Sequence, residues 1–178
     1  MIKLRRLIWY LASRLFVMVL VLGLCIVTFY YAMNATNIYI VLKDGMAKRA
    51  QIIMMNDTDT DLQSYFLASY MQRDENLQNA LAGKSPYQYY TIRGIDHRLS
   101  MEWMWAWPWG KTARVEFSES IPRIDGRLNG NYTQMAQNLY GEGYENPPAW
   151  PAMEYIATMV KKDNRWYVQS VTHQKSRK

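Results

Sequence analysis

The residues best suited to acid–base chemistry in this chain are Asp96 and His97, which are neighbours in the sequence. Successive residues of a β-strand point to opposite faces of a sheet, so this pair is poorly placed to act as a catalytic dyad. The other histidine, His173, lies near the C-terminus, and two separated histidines do not make a zinc site. An enzyme with Asp96 or His97 in a hollow is therefore the weakest of the functional hypotheses.

Other catalytic and metal-binding patterns are missing from the sequence. No nucleophile-elbow glycines flank the serines, and there is no phosphate loop or dinucleotide glycine pattern. The acidic cluster Asn56–Asp61 lacks the glycine and closing glutamate of a calcium loop, and Cys25 is the only cysteine. We therefore predict no catalytic residue, no metal site and no cofactor.

Four tryptophans alternate with other residues in the stretch LSMEWMWAWPW, and this period of two predicts a strand with an aromatic face. These are Trp103, Trp105, Trp107 and Trp109. In one interpretation they form the core beneath the helices, each burying about 150–250 Å². In the other, Pro108 marks a strand end, and Trp107 and Trp109 project into a pocket or a partner groove. We take all four as candidate pocket or partner contacts.

An uncharged run of nineteen residues, from Leu15 to Met33, predicts that the protein is held in a membrane. At about 1.5 Å per residue such a helix nearly covers a hydrocarbon layer of about 30 Å, and the flanking residues Leu7–Ala12 could lengthen the span to 7–33. The alternatives are a cleaved signal and a buried soluble helix. We favour a retained anchor because the run is long and bulky Tyr30 and Tyr31, not small residues, close it.

The orientation follows from the basic residues near each end of the span. Lys3, Arg5, Arg6 and Arg14 precede it, whereas no basic residue lies between Asn34 and Leu42. Since Lys and Arg are retained on the cytoplasmic side, we predict a cytoplasmic basic tail over 1–14 and an external C-terminal domain. Arg5, Arg6, Arg14, Tyr30 and Tyr31 are the predicted flanks of the anchor. Residues 175–178 form a second basic tail.

The net charge of +6 does not indicate nucleic-acid binding. Without the four basic residues before the span and the three in the C-terminal tail, 14 of the 21 Lys and Arg remain against 15 Asp and Glu. A nucleic-acid domain carries its excess of cations on its own surface. The predicted partners are instead the lipid bilayer and other membrane or envelope proteins, with a homo-oligomer as a further possibility.

Helices are predicted directly after the span. Apolar residues at three- and four-residue steps predict a helical stalk over 34–57 that continues the membrane helix, with Gly45 as a weak point. A second helix should begin in the acidic cluster and place Leu62, Tyr65, Phe66, Ser69 and Tyr70 on one face. Asp74 should cap a third helix, which carries Leu77, Ala80 and Leu81 and stops at Gly83.

Strands are predicted from about Tyr87 onward. The tryptophan stretch should pair with Thr112–Ile121 across a turn at Gly110 and Lys111. A long excursion, Pro122–Pro151, follows, with a short helix over 131–140. The last two strands flank Asp163 and Asn164, which tolerate the positive φ of a two-residue hairpin turn.

Helices followed by antiparallel strands predict an α+β fold, in which the helices pack on a curved sheet of about four strands over 58–174. This order and the closing hairpin MVKKDNRWYVQSV resemble the nuclear transport factor 2-like superfamily. The single N-terminal anchor makes the chain similar to its membrane-anchored branch, the inner-membrane scaffold proteins of bacterial type IV secretion and conjugation. The likeness covers about Met46 to His173.

The resemblance implies a non-catalytic scaffold module tethered to the membrane of a bacterial envelope complex. Exported domains without disulfides are ordinary in bacteria. Two alternatives stay open from the sequence. One is a ligand-binding domain whose tryptophans line a pocket for a lipid or a cell-wall fragment, and the other is an accessory subunit of another membrane complex.

Overall fold

The structure is a computed structural model that describes residues 2–57, 61–141 and 144–174, with side chains from Trp9 onward. It is an α+β fold with one long N-terminal helix and two antiparallel sheets. The side chains of Arg5 and Arg6, the 175–178 tail and the predicted start of the second helix at 58–60 lie outside the described residues.

The first helix, α1 (Ile2–Met55), runs for 54 residues without a break through both the predicted span and the predicted stalk. From Trp9 to Tyr30 its side chains are exposed. Beyond that point one side of the helix is buried, at Asn34, Ile38, Leu42, Met46 and Ala50. The apolar stripe of the stalk is therefore part of the core of the domain.

The sequence predicts a weak point of the helix at Gly45, but α1 continues through this residue without a break. Another segment packs against the glycine. A Cβ atom on Gly45 would lie 3.0 Å from Cβ of Tyr65 and 3.2 Å from Cε2 of Phe66. The glycine thus allows a close approach of the 62–66 segment to the helix.

The four-stranded sheet has the order β2-β3-β5-β6, with β2 (Arg98–Met101), β3 (Thr112–Ile121), β5 (Trp150–Lys162) and β6 (Arg165–His173). A second sheet pairs β1 (Tyr90–Ile95) with β4 (Ile124–Leu128). The predicted sheet of about four strands is thus present, and the described residues hold a further pair, because β1 and the start of the excursion after Pro122, β4, form a second sheet. The excursion also contains α4 (Thr133–Tyr140), which confirms the short helix predicted there.

The closing hairpin is confirmed. Lys162 pairs with Arg165 across a two-residue turn in which Asp163 has a φ of 47° and Asn164 a φ of 63°. Both residues occupy the left-handed region that this turn requires, and Asp and Asn tolerate it better than other non-glycine residues do.

The second predicted helix is wrong in extent. The described residues from Asp61 to Leu67 form turns and a bridge between Phe66 and Val168, and only α2 (Ala68–Met71) is helical. The third helix, α3 (Glu75–Leu81), is confirmed with its cap, since the side chain of Asp74 accepts a hydrogen bond from the backbone N–H of Leu77. Leu81, however, is exposed.

The core lies between α1 and the sheets. Phe66 stacks on Tyr70 with ring centroids 4.9 Å apart, and the bridge to Val168 ties this segment to the last strand. Ala113, Val115 and Phe117 of β3 are buried together, as their alternation predicts. The domain is consequently built around the second half of α1.

Candidate functional site

The tryptophan segment, Trp103–Trp109, is not a strand. β2 ends at Met101, and after the backbone N–H of Glu102 bonds to the carbonyl of Glu116 at 2.9 Å the chain leaves the sheet. The predicted strand over 99–109 is therefore wrong beyond this point. Its backbone instead bonds to α1: Tyr31 donates its hydroxyl to the carbonyl of Met104 at 2.5 Å, and Asn34 donates Nδ2 to that of Trp107 at 3.0 Å.

Alternate side chains of this segment still differ in burial, but the buried ones are Met104 and Ala106 and not the tryptophans. Met104 and Ala106 are 5% and 1% exposed, whereas the tryptophans are 74%, 64%, 46% and 70% exposed in chain order. The interpretation of the tryptophans as core of the sheet is thus wrong. The main-chain carbonyls of the segment accept hydrogen bonds from α1. The side chains of Met104 and Ala106 are buried, and the larger indoles remain exposed.

The exposed indoles form one aromatic cluster around Tyr31. Trp105 and Trp107 stack with centroids 5.8 Å apart, and Trp107 and Trp109 stack at 5.3 Å. The ring of Tyr31 lies 6.0 Å from Trp103, 6.3 Å from Trp105 and 6.4 Å from Trp107. Tyr31, a predicted flank of the anchor, therefore joins the apolar half of α1 to the domain, whereas the neighbouring Tyr30 is exposed.

Basic residues lie at the end of the four-stranded sheet that is next to Asn34 of α1. The backbone N–H of Lys161 bonds to the carbonyl of Lys111, and the Nζ of Lys161 lies 3.5 Å from Oδ1 of Asn34. Lys162 and Arg165 close the neighbouring hairpin. We call Lys111, Lys161, Lys162 and Arg165 the basic end. A cleft of about 330 Å³ lies between this end and α1.

That cleft combines apolar and polar walls. Its lining consists of Tyr30, Met33, Asn34 and Asn37 from α1, and Pro108, Lys161, Asn164 and Trp166 from the domain. The indole Nε1 of Trp166 donates to Oδ1 of Asn34 at 3.3 Å. Neither this cleft nor the two clefts beside the buried ion pair are lined by Trp103, Trp105, Trp107 or Trp109. A tryptophan-lined pocket thus gains no support from them.

A buried ion pair lies deeper in the domain. Arg49 of α1 donates from Nε and Nη2 to the two carboxylate oxygens of Asp74, at 2.5 Å and 3.0 Å. Burial by itself raises the pKa of Asp74, but hydrogen bonds from Arg49 and its positive charge outweigh that effect and lower the pKa below its usual value. Burial likewise opposes the charge on Arg49, and its bond to Asp74 raises its pKa.

Asp96 and His97 point to different surroundings, in line with the expectation for neighbouring residues. Asp96 is paired with Arg98 in solvent, whereas Nε2 of His97 lies 2.9 Å from Oε1 of the fully buried Glu119. The structure therefore does not bring Asp96 and His97 together. Among the described residues, no group of three potential metal ligands occurs.

Two adjoining clefts open beside these buried groups. One, of about 370 Å³, reaches Arg49, Asp74 and Tyr155, and the other, of about 320 Å³, is lined by Tyr87, Trp150 and prolines. Burial raises the pKa of Tyr87 to about 12, so its hydroxyl stays protonated at neutral pH. Both clefts are surrounded by groups that already stabilise the core.

The sequence contained signals for the buried polar residues. Arg49 continues the three- and four-residue spacing of Leu42 and Met46, so it occupies the apolar face of α1. Glu119 shares the buried face of β3 with Val115 and Phe117. A charged residue on a buried face requires a partner, and both residues have one.

Compared with protein-family models, with curated proteins and with solved structures, the chain matches none of them.

Proposed function

We propose that this chain is a single-pass membrane protein that holds a non-catalytic interaction domain at the outer face of a bacterial cell membrane. The observation that carries the proposal is the contrast along α1. The helix is long and apolar enough to cross a membrane, with a mean hydropathy of 2.5 in a window of which no residue is buried. The same helix is then buried in the domain from Asn34 onward.

The exposed half of α1 argues against a core helix of a soluble protein. Burial of apolar surface is favourable by about 25 cal/mol per Å², and a core helix obtains this from its own chain. Between Trp9 and Tyr30 no such cover exists among the described residues. Hydrocarbon chains of a bilayer supply it.

The contacts of Tyr31 and Asn34 argue for a retained anchor rather than a cleaved signal. Both residues hold the tryptophan segment through its carbonyl groups. Cleavage directly behind Met33 would remove Tyr31 with its bond and would leave Asn34 as a chain terminus, since the helix passes from the run into the core without a linker. We therefore take α1 as a permanent part of the folded protein.

The proposed orientation keeps the N-terminus in the cytoplasm. Four basic residues precede the span, and Arg14 lies with its guanidinium 5.1 Å from the centroid of the Tyr10 ring. The basic end of the domain does not oppose this orientation. Its residues are far from the span in sequence, and the rule counts cations in the short flanks that insert with the helix.

The interaction role is supported by an exposed apolar face in the excursion between β4 and β5. Tyr132, Met135 and Leu139 follow helical spacing and are all exposed. We propose that this face contacts another envelope protein. A scaffold role in secretion or conjugation follows only from the resemblance to the membrane-anchored nuclear transport factor 2-like proteins, and an accessory subunit of another complex uses the same features.

Carbonate extraction of bacterial membranes tests the anchor. We expect the full chain to stay in the membrane pellet with its first residues intact. A product in the aqueous fraction that begins near Tyr31 would contradict the proposal.

Cross-linking in cells followed by purification tests the interaction role. The chain should purify with membrane partners, and the double variant Met135→Asp and Leu139→Asp should lose them. Gln134→Asp, on the same helix, is the matched control and should retain them. A chain that remains anchored but cross-links to no other protein would leave the tether standing and refute the interaction role.

A further inference from the structure

The tryptophan segment lies at a defined height along α1. Its rings contact Tyr31, which precedes the end of the apolar run at Met33 by two residues. Since a helix rises about 1.5 Å per residue, Tyr31 lies about 3 Å from that end. When 15–33 occupies the hydrocarbon layer, the four indoles lie at its outer boundary.

We propose that the tryptophan segment and the basic end together form a second membrane contact of this protein, beside the anchor. The indoles lie among the lipid headgroups of the outer leaflet, and the basic end attracts anionic lipid. This inference rests on the single-pass anchoring proposed above and adds a lipid-binding surface to the domain itself.

Indole chemistry favours the bilayer boundary over a sugar ligand. A sugar stacks on a free ring face, but Trp107 has Trp105 on one side and Trp109 on the other. Tryptophan is enriched at membrane–water boundaries because its large apolar ring and its polar N–H suit the two sides of that boundary.

The charges at this end of the domain fit an anionic surface. Lys111, Lys162 and Arg165 are exposed and Lys161 is half-buried, while Asp163 in the hairpin turn is acidic. Basic residues close to a membrane surface are attracted to anionic headgroups within about one Debye length. The cleft between Met33 and Lys161 lies at the same height, with apolar and amide groups facing each other.

This contact determines the pose of the domain. The segment is bonded to α1 at both Met104 and Trp107, so the domain cannot swing around the exit of the helix without breaking these bonds. With the indoles in the headgroup layer, the α3 end of the domain points away from the bilayer. The side of the domain that partners reach is thereby fixed.

The test uses a polarity-sensitive fluorophore on the full chain in vesicles. Cys25→Ser removes the native thiol, and single cysteines are placed at Trp109 or at Asn79 of α3 by Trp109→Cys or Asn79→Cys. Asn79 lies near Ile53, which is about 33 Å beyond Tyr31 along the helix. The vesicles contain equal parts of phosphatidylcholine and phosphatidylglycerol.

We expect the emission of the probe at 109 to shift to shorter wavelength and to be quenched by spin-labelled lipid, while the probe at 79 reports water. If the probe at 109 reports a water-exposed environment on protein that still floats with the vesicles, this inference is overturned and the anchoring proposal is unaffected. Protein that does not float would instead refute the anchoring proposal. If the short-wavelength emission disappears when the protein is diluted with more lipid, the inference is also overturned. That result would show that a second copy of this chain covers the surface.

The charge requirement is tested separately. In vesicles with phosphatidylglycerol, Lys111→Gln and Lys162→Gln should each lower, about fivefold, the ratio of membrane-buried to water-exposed probe at position 109. Lys84→Gln, at the far end of the domain, is the matched control and should have no effect. Equal effects of all three variants, or none from the first two, would contradict the role of the basic end.

Discussion

At the scale of single residues, the Arg49–Asp74 pair connects the long helix to the rest of the domain. It joins the buried face of α1 to the start of α3, where the same carboxylate accepts a hydrogen bond from Leu77. One carboxylate thus neutralises a buried guanidinium and caps a helix. The long helix is in this way coupled to the start of α3.

We predict that Asp74→Ala lowers the free energy of unfolding by about 3–5 kcal/mol, because it leaves Arg49 charged and buried. The measurement is chemical unfolding of the full chain in detergent micelles. Asp96→Ala is the matched control, since it breaks an ion pair with Arg98 that lies in solvent, and it should change stability little. Equal losses in the two variants would show that the buried pair has no special role.

The Asp74 carboxylate should also make stability depend on pH. Its pKa is lower in the folded than in the unfolded chain, so the unfolded chain binds more protons and stability rises with pH. The contribution is complete above the unfolded value of about 3.9 and is lost as pH falls through the folded pKa. The difference in unfolding free energy between the protein and Asp74→Asn should therefore shrink below about pH 4. A constant difference down to pH 2 would contradict this assignment.

At the scale of elements, α1 combines two environments in one helix. Its first half is exposed and apolar, and its second half supplies the central apolar stripe of the domain. Gly45 lies where the 62–66 segment crosses the second half, and its missing side chain sets the distance between them. The packing of this crossing is open to a direct test.

We predict that Gly45→Val destabilises the domain by about 1–3 kcal/mol through overpacking against Tyr65 and Phe66. Gly23→Val is the control, because a Cβ there meets nothing within 4 Å. Thermal unfolding followed by near-ultraviolet circular dichroism measures both. A stabilised Gly45→Val variant would show that the segment moves aside freely.

The closing hairpin gives a second element-scale prediction. Asn164→Val should cost about 1–2 kcal/mol because a β-branched residue is strained at a φ of 63°. Asn164→Gly should retain or raise stability, since glycine adopts this conformation without strain. Urea unfolding of the two variants separates the backbone effect from loss of the amide side chain, and the opposite order of stabilities would refute the turn geometry.

At the scale of the whole molecule, orientation and pose have different origins. In the proposed arrangement, the basic residues before the span set the orientation during insertion, and the contacts of Tyr31 and Asn34 set how the domain stands on the bilayer. Orientation and pose can be tested separately, because the first depends on the basic tail and the second on the domain.

We predict that replacing Lys3, Arg5, Arg6 and Arg14 by glutamine leaves part of the chains inverted. A cysteine at position 79 in the Cys25→Ser chain, labelled from outside spheroplasts by an impermeant maleimide, measures the correctly oriented fraction. Glutamine at Lys175, Arg177 and Lys178 is the matched control and should not reduce labelling. Full labelling of both variants would mean that the tail does not determine orientation.

Local features of this protein were determined by the sequence alone. The apolar run, the cap at Asp74, the hairpin turn at Asp163 and Asn164, and the buried face of β3 each depend on neighbouring residues. Hydropathy adds along a helix, and caps and turns act within four residues, so such patterns are readable without knowledge of the fold.

Only the tertiary structure decided which face of the tryptophan segment is buried and which charges meet. A period of two distinguishes two faces but does not say which is covered, and here α1 covers Met104 and Ala106. The ion pair of Arg49 joins residues 25 apart, and Tyr31 bonds to a carbonyl 73 residues away. Such contacts depend on how the helix crosses the sheet, which no local pattern contains.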